Sequence, residues 1–370
     1  MNTKRTTLVL AVPLPLRTGR VAIVPASLLC LVTLMATAFT ARPAQAAPFL
    51  LVGSIANNSG TVSKYDAVTG AAINVPFFPW SFAQSMVVDQ NNHLFVTGVT
   101  GASEFNATTG ATINPNFATG FNDDAWRLAL DGNNHLFVSG VANIDGNIVG
   151  KYDATTGATI NAGFIQEPNP QSLSNPRGIA VDNKNHLFVS NTNANTVAEY
   201  DATTGAMINP TFIHQGLHDP GVLLLDGLGH LLVGDNFDTA TVGMYDATTG
   251  ATINAAFIPG LTGGTVALAL DGSNHLFVAN NNVGVGEYDA TTGAIIDEHF
   301  IQLRSVTGLA FVTPVPEAST FVLAALGFLS LLTYIRQRRR RSPSSLNRLK
   351  GLLRIKAVPM SSWNEASAPS

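Results

Sequence analysis

The residues of this 370-residue chain that are best suited to chemistry are its histidines and aspartates. His214, His218 and Asp219 lie close together in the sequence, and imidazole and carboxylate groups are common ligands of zinc. A zinc site needs at least three anchored ligands, whereas these residues share one connection with no further ligand fixed beside it. We therefore predict neither a metal site nor another cofactor.

Most of the other histidines occupy one position of a repeated motif. The motif reads Asp-x-x-x-His-Leu-Phe/Leu-Val, and its histidines are His93, His135, His186, His230 and His275. Side chains repeated in this way are spread over an array and do not converge easily on one metal. We expect these histidines to serve packing or turn hydrogen bonds, and the aspartates four residues earlier to cap turns.

Charge and motif content favour binding over catalysis and exclude nucleic acid as a partner. Residues 47–314 carry six basic and 22 acidic residues, a net charge of −16, whereas phosphate contacts need clustered lysine and arginine. Outside the repeats there is no nucleophile motif, phosphate-binding glycine loop or zinc signature.

A second repeated motif sets the architecture. A Tyr-Asp-Ala-Thr-Thr-Gly-like hexad recurs with steps of 40, 47, 48, 45 and 43 residues, which indicates stacked supersecondary units. The six hexads begin at Tyr65, Phe105, Tyr152, Tyr200, Tyr245 and Tyr288.

Each period resolves into four short extended segments. In one unit these are residues 178–182, 186–190, 196–200 and 206–209, which are rich in β-branched and aromatic residues and bounded by Asn, Asp and Gly. Residues 201–205 are a hairpin turn in which the Asp201 carboxylate accepts a backbone N–H and Gly205 takes a positive φ. Four antiparallel strands per period predict a blade of an all-β β-propeller.

The number of innermost strands predicts six blades. Apolar runs of that type lie at residues 86–89, 128–131, 179–182, 223–226, 268–271 and 309–312. The first copy, at residues 49–53, lacks a preceding strand, and the last lacks following ones. We therefore expect residues 306–312 to pair with residues 49–53, which closes the ring and removes exposed sheet edges.

The ring of repeats resembles the NHL-repeat family. The resemblance rests on residues 182–189 (Asp-Asn-Lys-Asn-His-Leu-Phe-Val), followed by Asn191 and by Tyr200-Asp201. It implies a six-bladed propeller of the kind found in binding proteins and in some lyase-type and lactonase-like enzymes. A lactonase-like site would need carboxylates and amides converging at the channel mouth to hold a divalent cation. The residues just before the inner runs include no carboxylate: they are Ser85, Arg127, Gly178, Val222, Ala267 and Gly308.

The two faces of such a ring are expected to differ. The Asp-x-x-x-His turns and the hexads share one face, which we call the turn face. The opposite loop face carries the second-to-third connections and those between blades, which vary, and variable loops on a rigid scaffold commonly carry function. Trp80 and Trp126 are suited to stacking on sugar rings. The candidate ligand-binding residues are Asp123, Asp124, Trp126, His214, His218, Asp219, Asp235 and Asp238.

Residues 1–46 are predicted to be a signal peptide. A positive stretch precedes an apolar stretch at residues 21–40, and Ala44-Gln45-Ala46 is a small-x-small site that signal peptidase accepts. A retained membrane anchor is the alternative, which Pro25 disfavours. The only cysteine, Cys30, lies in this segment, so the mature chain has no disulfide.

Residues 313–341 resemble a PEP-CTERM sorting signal, with Val315, Pro316 and Glu317 matching the motif and Ala318 replacing its last proline. An apolar segment at residues 318–335 is predicted to be a transmembrane helix stopped by charge. The stop residues are Arg336, Arg338, Arg339, Arg340 and Arg341. The resemblance implies an exosortase-like processing enzyme at the inner membrane of a Gram-negative bacterium. Residues 342–370 are predicted to be a basic, disordered tail, and a basic amphipathic helix lying on the anionic inner leaflet is the alternative.

These observations predict an exported six-bladed propeller, first anchored in the inner membrane and then located at the cell surface or outside the cell. Its expected role is a binding module for an envelope polysaccharide or surface protein. The alternative is a hydrolase or lyase acting at the channel mouth, and a third possibility is a structural repeat without a specific ligand.

Overall fold

The computed structural model describes residues 47–56, 59–81, 83–121, 124–142, 146–166, 173–235, 239–314, 327 and 329–334. The chain divides into two compact units, and the one considered first spans residues 45–315. Its described residues form 24 strands in six four-stranded antiparallel sheets, so the predicted six-bladed β-propeller is confirmed.

Each blade runs from an innermost first strand to an outermost fourth strand. Blade 1 consists of β4 (Met86–Val88), β5 (His93–Gly98), β6 (Gly101–Asn106) and β7 (Thr112–Thr119). Blade 2 consists of β8 (Asp124–Leu130), β9 (His135–Ala142), β10 (Gly146–Asp153) and β11 (Thr159–Gln166). Blade 3 consists of β12 (Pro176–Val181), β13 (His186–Asn191), β14 (Thr196–Asp201) and β15 (Met207–Ile213). Blades 4 and 5 consist of β16 (Pro220–Leu225), β17 (His230–Asp235), β18 (Thr239–Asp246) and β19 (Thr252–Thr262); and β20 (Thr265–Leu270), β21 (His275–Asn280), β22 (Gly284–Asp289) and β23 (Ile295–Gln302). A short 3-10 helix, Thr192–Ala194, joins β13 to β14.

Blade 6 closes the ring with strands from both ends of the propeller. Its strands are β24 (Val306–Val312), β1 (Phe49–Ala56), β2 (Ser59–Asp66) and β3 (Ala72–Pro79). β24 pairs with β1 in antiparallel register, from Phe49 opposite Val312 to Ser54 opposite Val306. The predicted closure is therefore confirmed.

The core lies between neighbouring blades and is built from their second strands. Leu187, Phe188 and Val189 of β13 are fully buried, as are Leu136 of β9 and Phe277 of β21. Each large apolar side chain that is removed from water in this way stabilises the fold by about 1.5–3 kcal/mol. Alternate side chains of one strand face opposite neighbours, so each blade packs on both sides.

The hexad turns fold as the sequence predicts. The Oδ1 atom of Asp201 accepts hydrogen bonds from the backbone N–H groups of Thr203 at 3.0 Å and Thr204 at 2.7 Å, and from the Thr204 hydroxyl at 2.9 Å. Gly205 has φ +75°. A β-carbon there would collide with the carbonyl oxygen of Phe164 in the preceding blade, so the glycine also permits blade contact.

The fourth strands are longer than the sequence predicted. In blade 3 the segment expected to end at Asn209 continues to Ile213, because Phe212 and Ile213 are buried against the neighbouring blade. Asn209 instead accepts the N–H of Thr211 at 3.1 Å, where the strand register shifts. A bulged outer strand is a poor template for pairing with another chain.

The second unit comprises residues 1–44 and 316–370, and in it residues 327 and 329–334 are helical. Over the described parts of the chain, no helix has the length and apolar content that crossing a bilayer requires. The predicted signal peptide, the sorting motif at Val315, Pro316 and Glu317 and the arginine cluster lie outside the described residues, as does most of the predicted transmembrane helix.

Candidate functional site

Hydrogen bonds tie the two kinds of short turn into one surface. The N–H of Ala202 in the hexad donates to the carbonyl of Asn185 in the Asp182–His186 turn at 2.8 Å. The same bond joins Ala154 to Asn134 in blade 2 and Ala290 to Asn274 in blade 5. Both turns therefore lie on one side of the ring, as predicted for the turn face.

The repeated histidines bind their own turns. Each Nδ1 atom lies 2.6–3.1 Å from the Oδ2 atom of the aspartate four residues earlier. The Oδ1 atom of that aspartate accepts the histidine backbone N–H, at 2.8 Å in the Asp182–His186 turn. The ring contact is a hydrogen bond in His135, His186, His230 and His275, whereas the Nδ1 atom of His93 makes no hydrogen bond to the described residues. The predicted turn hydrogen bonding is confirmed for those four histidines, and the capping by aspartate for all five turns.

Three blades add a buried glutamate beside the histidine. Glu104, Glu199 and Glu287 lie 3.4–3.8 Å from the Nδ1 atoms of the histidines in their blades. Burial raises the pKa of each glutamate, and the nearby histidine opposes the rise. Lys151 and Met244 occupy the corresponding position in blades 2 and 4, so the glutamate is not required by the blade itself.

Three candidates from the sequence fall near the start of blade 2, and they do not form one loop. Asp123 lies outside the described residues, whereas Asp124 and Trp126 belong to β8. These candidates were expected on a variable connection of the loop face, but the inner strand of blade 2 begins earlier than its apolar run at residues 128–131 suggests. Trp126 sits where the register of β8 shifts against β9.

The histidine candidates near blade 4 are held by backbone contacts. The His214 ring is exposed, with Nδ1 3.1 Å from the carbonyl oxygen of Thr211. The backbone N–H of His218 donates to Asp235, whose other oxygen accepts the Thr241 hydroxyl at 2.9 Å. Burial raises the pKa of Asp235.

No metal centre emerges from these candidates. Within the described ranges, no three or more His, Cys, Asp or Glu side chains are arranged to hold a metal ion. Asp238 lies outside those ranges, and Asp219 adopts a positive φ of 56° with its N–H bound to the Asn195 side chain.

The central channel is lined by the first strands and is largely apolar. It holds a cavity of about 240 Å³, with Met86, Leu128, Ile179, Leu223 and Leu268 among its lining residues. The polar residues of this lining are Gln84, Ser85 and Arg127, and Arg127, at the position preceding the inner run of blade 2, is the charged one among them.

Arg127 crosses the channel. Its Nη1 atom donates to the carbonyl oxygens of Gln84 at 2.9 Å and Trp126 at 3.0 Å, and its Nη2 atom donates to that of Val266, in the opposite blade 5, at 3.0 Å. Its Nε atom is buried and has no hydrogen-bond partner among the described residues. Burial, and next the charge of Arg177, lower the pKa of Arg127 to about 10. The residue remains a cation at neutral pH.

The channel opens on the loop face into a second cavity of about 420 Å³, which we call the mouth. Connections of the loop face contribute Asn281, Asn282 and Ser305, and two inner strands contribute Arg127 and Arg177. The mouth residues are not part of the repeat. Sequence reasoning missed this pair because it searched the positions before the inner runs for carboxylates, although Arg127 stood among them.

A further cavity of about 530 Å³ lies between blades 6 and 1, beside Trp80. The Trp80 indole N–H donates to the carbonyl oxygen of Thr97 at 2.7 Å, and its ring meets Phe105 edge to face at 5.1 Å. Gly98 lies directly beneath the ring. Trp80 therefore joins two blades while lining an open groove.

Comparison with known proteins supports the architecture. Neither a protein-family model nor a curated protein matches the chain. A chain of the crystal structure of a nidogen/laminin complex is similar with a TM-score of 0.53 and 13% identity, over 73% of this chain and 100% of that one. A computationally designed protein, Ika8, matches with a TM-score of 0.40 and 15% identity, over 70% of this chain and 76% of that one, which is too low to carry an argument. The strand order and the likeness to the chain of the nidogen/laminin complex together define a closed six-bladed β-propeller.

Proposed function

We propose that the chain is an NHL-repeat-like propeller that acts as a binding module at the cell surface or in the extracellular matrix, with its ligand held at the mouth. The observation that carries the proposal is the mouth itself, a polar cavity of about 420 Å³ at the loop-face end of an apolar channel. Its volume falls within the roughly 300–1,000 Å³ typical of ligand sites. The expected ligand is a polysaccharide or protein of the cell envelope.

Export and sorting form the second part of the proposal. The signal-like residues 1–46 would direct export through signal peptidase, and an exosortase-like enzyme would act near Val315, Pro316 and Glu317 after the helix has entered the inner membrane. The position of β24 supports this order, because it ends at Val312 and a cut after that point leaves every strand of the ring in place.

Mass spectrometry of the extracellular protein tests the sorting step. We expect a mature chain that begins at Ala47 and lacks the arginine cluster. Detection of peptides from residues 336–341 on the extracellular protein would show that the chain leaves the cell uncut and would contradict this part of the proposal.

A glycan array tests the binding role. Residues 47–314 contain all 24 strands and the closing pair, so this fragment is a complete ring. We expect it to bind a subset of acidic glycans, and a silent array would contradict a polysaccharide ligand. The similarity to a chain of a nidogen/laminin complex makes a protein partner the next candidate.

A calorimetric metal titration distinguishes the enzyme alternative from the binding module. A lactonase-like site needs a divalent cation held by carboxylates and amides at the mouth. The described residues of the mouth include the amides of Gln84, Asn281 and Asn282 but no carboxylate, and its two arginines would repel a cation. We expect no tight, stoichiometric heat signal with Ca²⁺ or Zn²⁺, and such a signal would favour the enzyme.

A further inference from the structure

The two arginines of the mouth are cations without a carboxylate partner. Residues 47–314 contain 22 acidic residues. Yet the ion pairs of the described residues all involve histidines, and no described carboxylate lies within 4 Å of Arg127 or Arg177. The other lysines and arginines of the domain also lack a carboxylate partner among the described residues by this measure. Arg127 and Arg177 differ from them because both line one cavity, where a single anion from outside can meet the two charges.

Both guanidinium groups have unused donors. A guanidinium has five N–H groups, and Arg127 makes three hydrogen bonds, all to carbonyl oxygens. Its buried Nε has no partner, and the Arg177 side chain makes no hydrogen bond to any described residue. Unpaired buried donors carry a free-energy cost, so an acceptor that enters the mouth would be stabilised there.

The position of the arginines also favours an anion. Arg177 is half-buried at the mouth, and its charge adds to the larger effect of burial in lowering the pKa of Arg127. Two like charges in a partly desolvated cavity repel each other, and a bound anion between them removes that repulsion. Arginine pairs well with carboxylates because its planar fork matches two oxygens at once.

The rest of the mouth suits hydroxyl groups. Asn281 and Asn282 are exposed at its rim, and their side-chain amides make no hydrogen bond to the described residues. An amide both donates and accepts, as a sugar hydroxyl does. A ligand that carries one carboxylate and several hydroxyls would therefore satisfy both parts of the cavity.

We propose that the mouth is a binding site for an acidic sugar, with its carboxylate held by Arg127 and Arg177 and its hydroxyls by Asn281 and Asn282. The inference rests on the proposed function, since it takes the mouth as the ligand site. The acidic sugar is either a unit of a polysaccharide or a free monosaccharide acid.

Isothermal titration calorimetry on the 47–314 fragment tests the inference with three probes. These are trigalacturonate, the neutral galactotriose of equal length, and free galacturonate. We expect the acidic probes to bind and galactotriose to give no signal. Raising the salt concentration should weaken binding of the acidic probes, because charge pairing is screened.

Arg177→Gln is the principal variant, since Arg177 makes no side-chain bond that the fold needs. We expect it to weaken trigalacturonate binding about tenfold or more, as a lost charged hydrogen bond predicts. Arg304→Gln is the matched control, because Arg304 is an exposed arginine of the same face that does not line the mouth. It should change the affinity less than about twofold. Arg127→Gln is a second variant, used only if its thermal unfolding remains cooperative.

The outcomes separate the inference from the proposed function. If glycans bind on the array but their affinity is unchanged in Arg177→Gln, the acidic-sugar site is wrong and the binding role stands. If no acidic probe binds, the inference is overturned. Binding of galacturonate alone, lost in Arg177→Gln, would confirm the carboxylate site but contradict a polysaccharide as the ligand.

Discussion

The two faces of the propeller differ in how their charged groups are satisfied. On the turn face, the aspartate of each described turn accepts backbone N–H groups, as Asp182 does from Lys184 and His186. On the loop face, Arg127 binds only carbonyl oxygens and Arg177 makes no side-chain bond to the described residues. Repeated polar groups thus serve the fold, whereas the groups that break the repeat are left open to a ligand.

The charge distribution follows the same division. The three arginines of residues 47–314, which are Arg127, Arg177 and Arg304, all lie on the loop face. The aspartates of the hexads and of the Asp-x-x-x-His turns all lie on the turn face. The loop face also carries Asp219 and Asp235, so the favourable potential for an anionic ligand is local to the mouth, where two of the three arginines lie together.

The largest effect is expected from removing the closing strand, because neither face exists without a closed ring. A chain of residues 47–304 lacks β24, so β1 is unpaired along one edge. The core cluster also loses the buried side chains of Val306 and Leu309. We expect cooperative thermal unfolding to be lost altogether, since the stability of a whole domain is only about 5–15 kcal/mol. Circular dichroism melting measures this, with residues 47–314 as the control. A truncated chain that melts as sharply as the control would show that closure is dispensable.

A pair of glycines on the turn face tests whether its repetition is structural. Gly205 and Gly227 have the same φ of +75°, but a β-carbon at Gly205 meets the Phe164 carbonyl, whereas one at Gly227 meets no atom within 4 Å. Alanine at Gly227 should cost about 1–2 kcal/mol for the left-handed backbone. Alanine at Gly205 should cost about 1–3 kcal/mol more, because the neighbouring blade must shift.

Denaturant unfolding of both variants measures the difference. Equal losses would mean that the hexad glycine is needed only for its φ, and that the contact between blades adds nothing. The comparison of the two faces would then lose its claim that the hexad holds neighbouring blades together.

The sequence predicted the turn face well because its determinants are local. Residues 201–205 of the hexad specify the hydrogen bonds and backbone angles of their own turn, and repetition strengthens that signal. Closure by residues 306–312 was also predictable, since a count of strand types left one unpaired copy at each end.

The mouth was not predicted, because it is assembled from positions that are distant in the sequence. Arg127 reaches the carbonyl of Val266, 139 residues away, and no local pattern marks that contact. Arg177 occupies the position that Gly221 holds in the next blade, and the repeat offers no reason for an arginine there. A charged residue at the end of an inner strand, where it departs from the repeat, is therefore a usable signal of a ligand site.

The pH dependence of stability provides a weaker test of the turn face. Burial raises the pKa of Glu199, so the folded chain binds its proton more tightly than the unfolded chain does. This stabilisation is present below the unfolded pKa of about 4.3 and is lost as the pH rises through the folded pKa. Ionised Glu199 therefore opposes folding at neutral pH.

Glu199→Met copies Met244 from the corresponding position of blade 4. At pH 7 we expect the free energy of unfolding to increase by about 0.5–1 kcal/mol, with the gain shrinking below about pH 4.5, where the glutamate is protonated. Denaturant unfolding at both pH values measures this. A loss of stability at pH 7 would show that the contact of Glu199 with His186 outweighs burial, and that the carboxylate is a stabilising part of the turn face.

The smallest effect is expected on the loop face, at His214. Its ring is exposed and, among the described residues, lies within hydrogen-bond distance of one group, the carbonyl of Thr211. We therefore expect His214→Ala to change the free energy of unfolding by less than about 0.5 kcal/mol. Phe212→Ala, two residues earlier, is the sensitivity control. Because Phe212 is buried, this substitution should lower the free energy of unfolding by about 3–5 kcal/mol. If His214→Ala cost more than about 1 kcal/mol, the loop face would carry structural polar groups as the turn face does. Broken repetition alone would then no longer mark a residue as free for a ligand, and the assignment of the mouth would depend on the arginine pair alone.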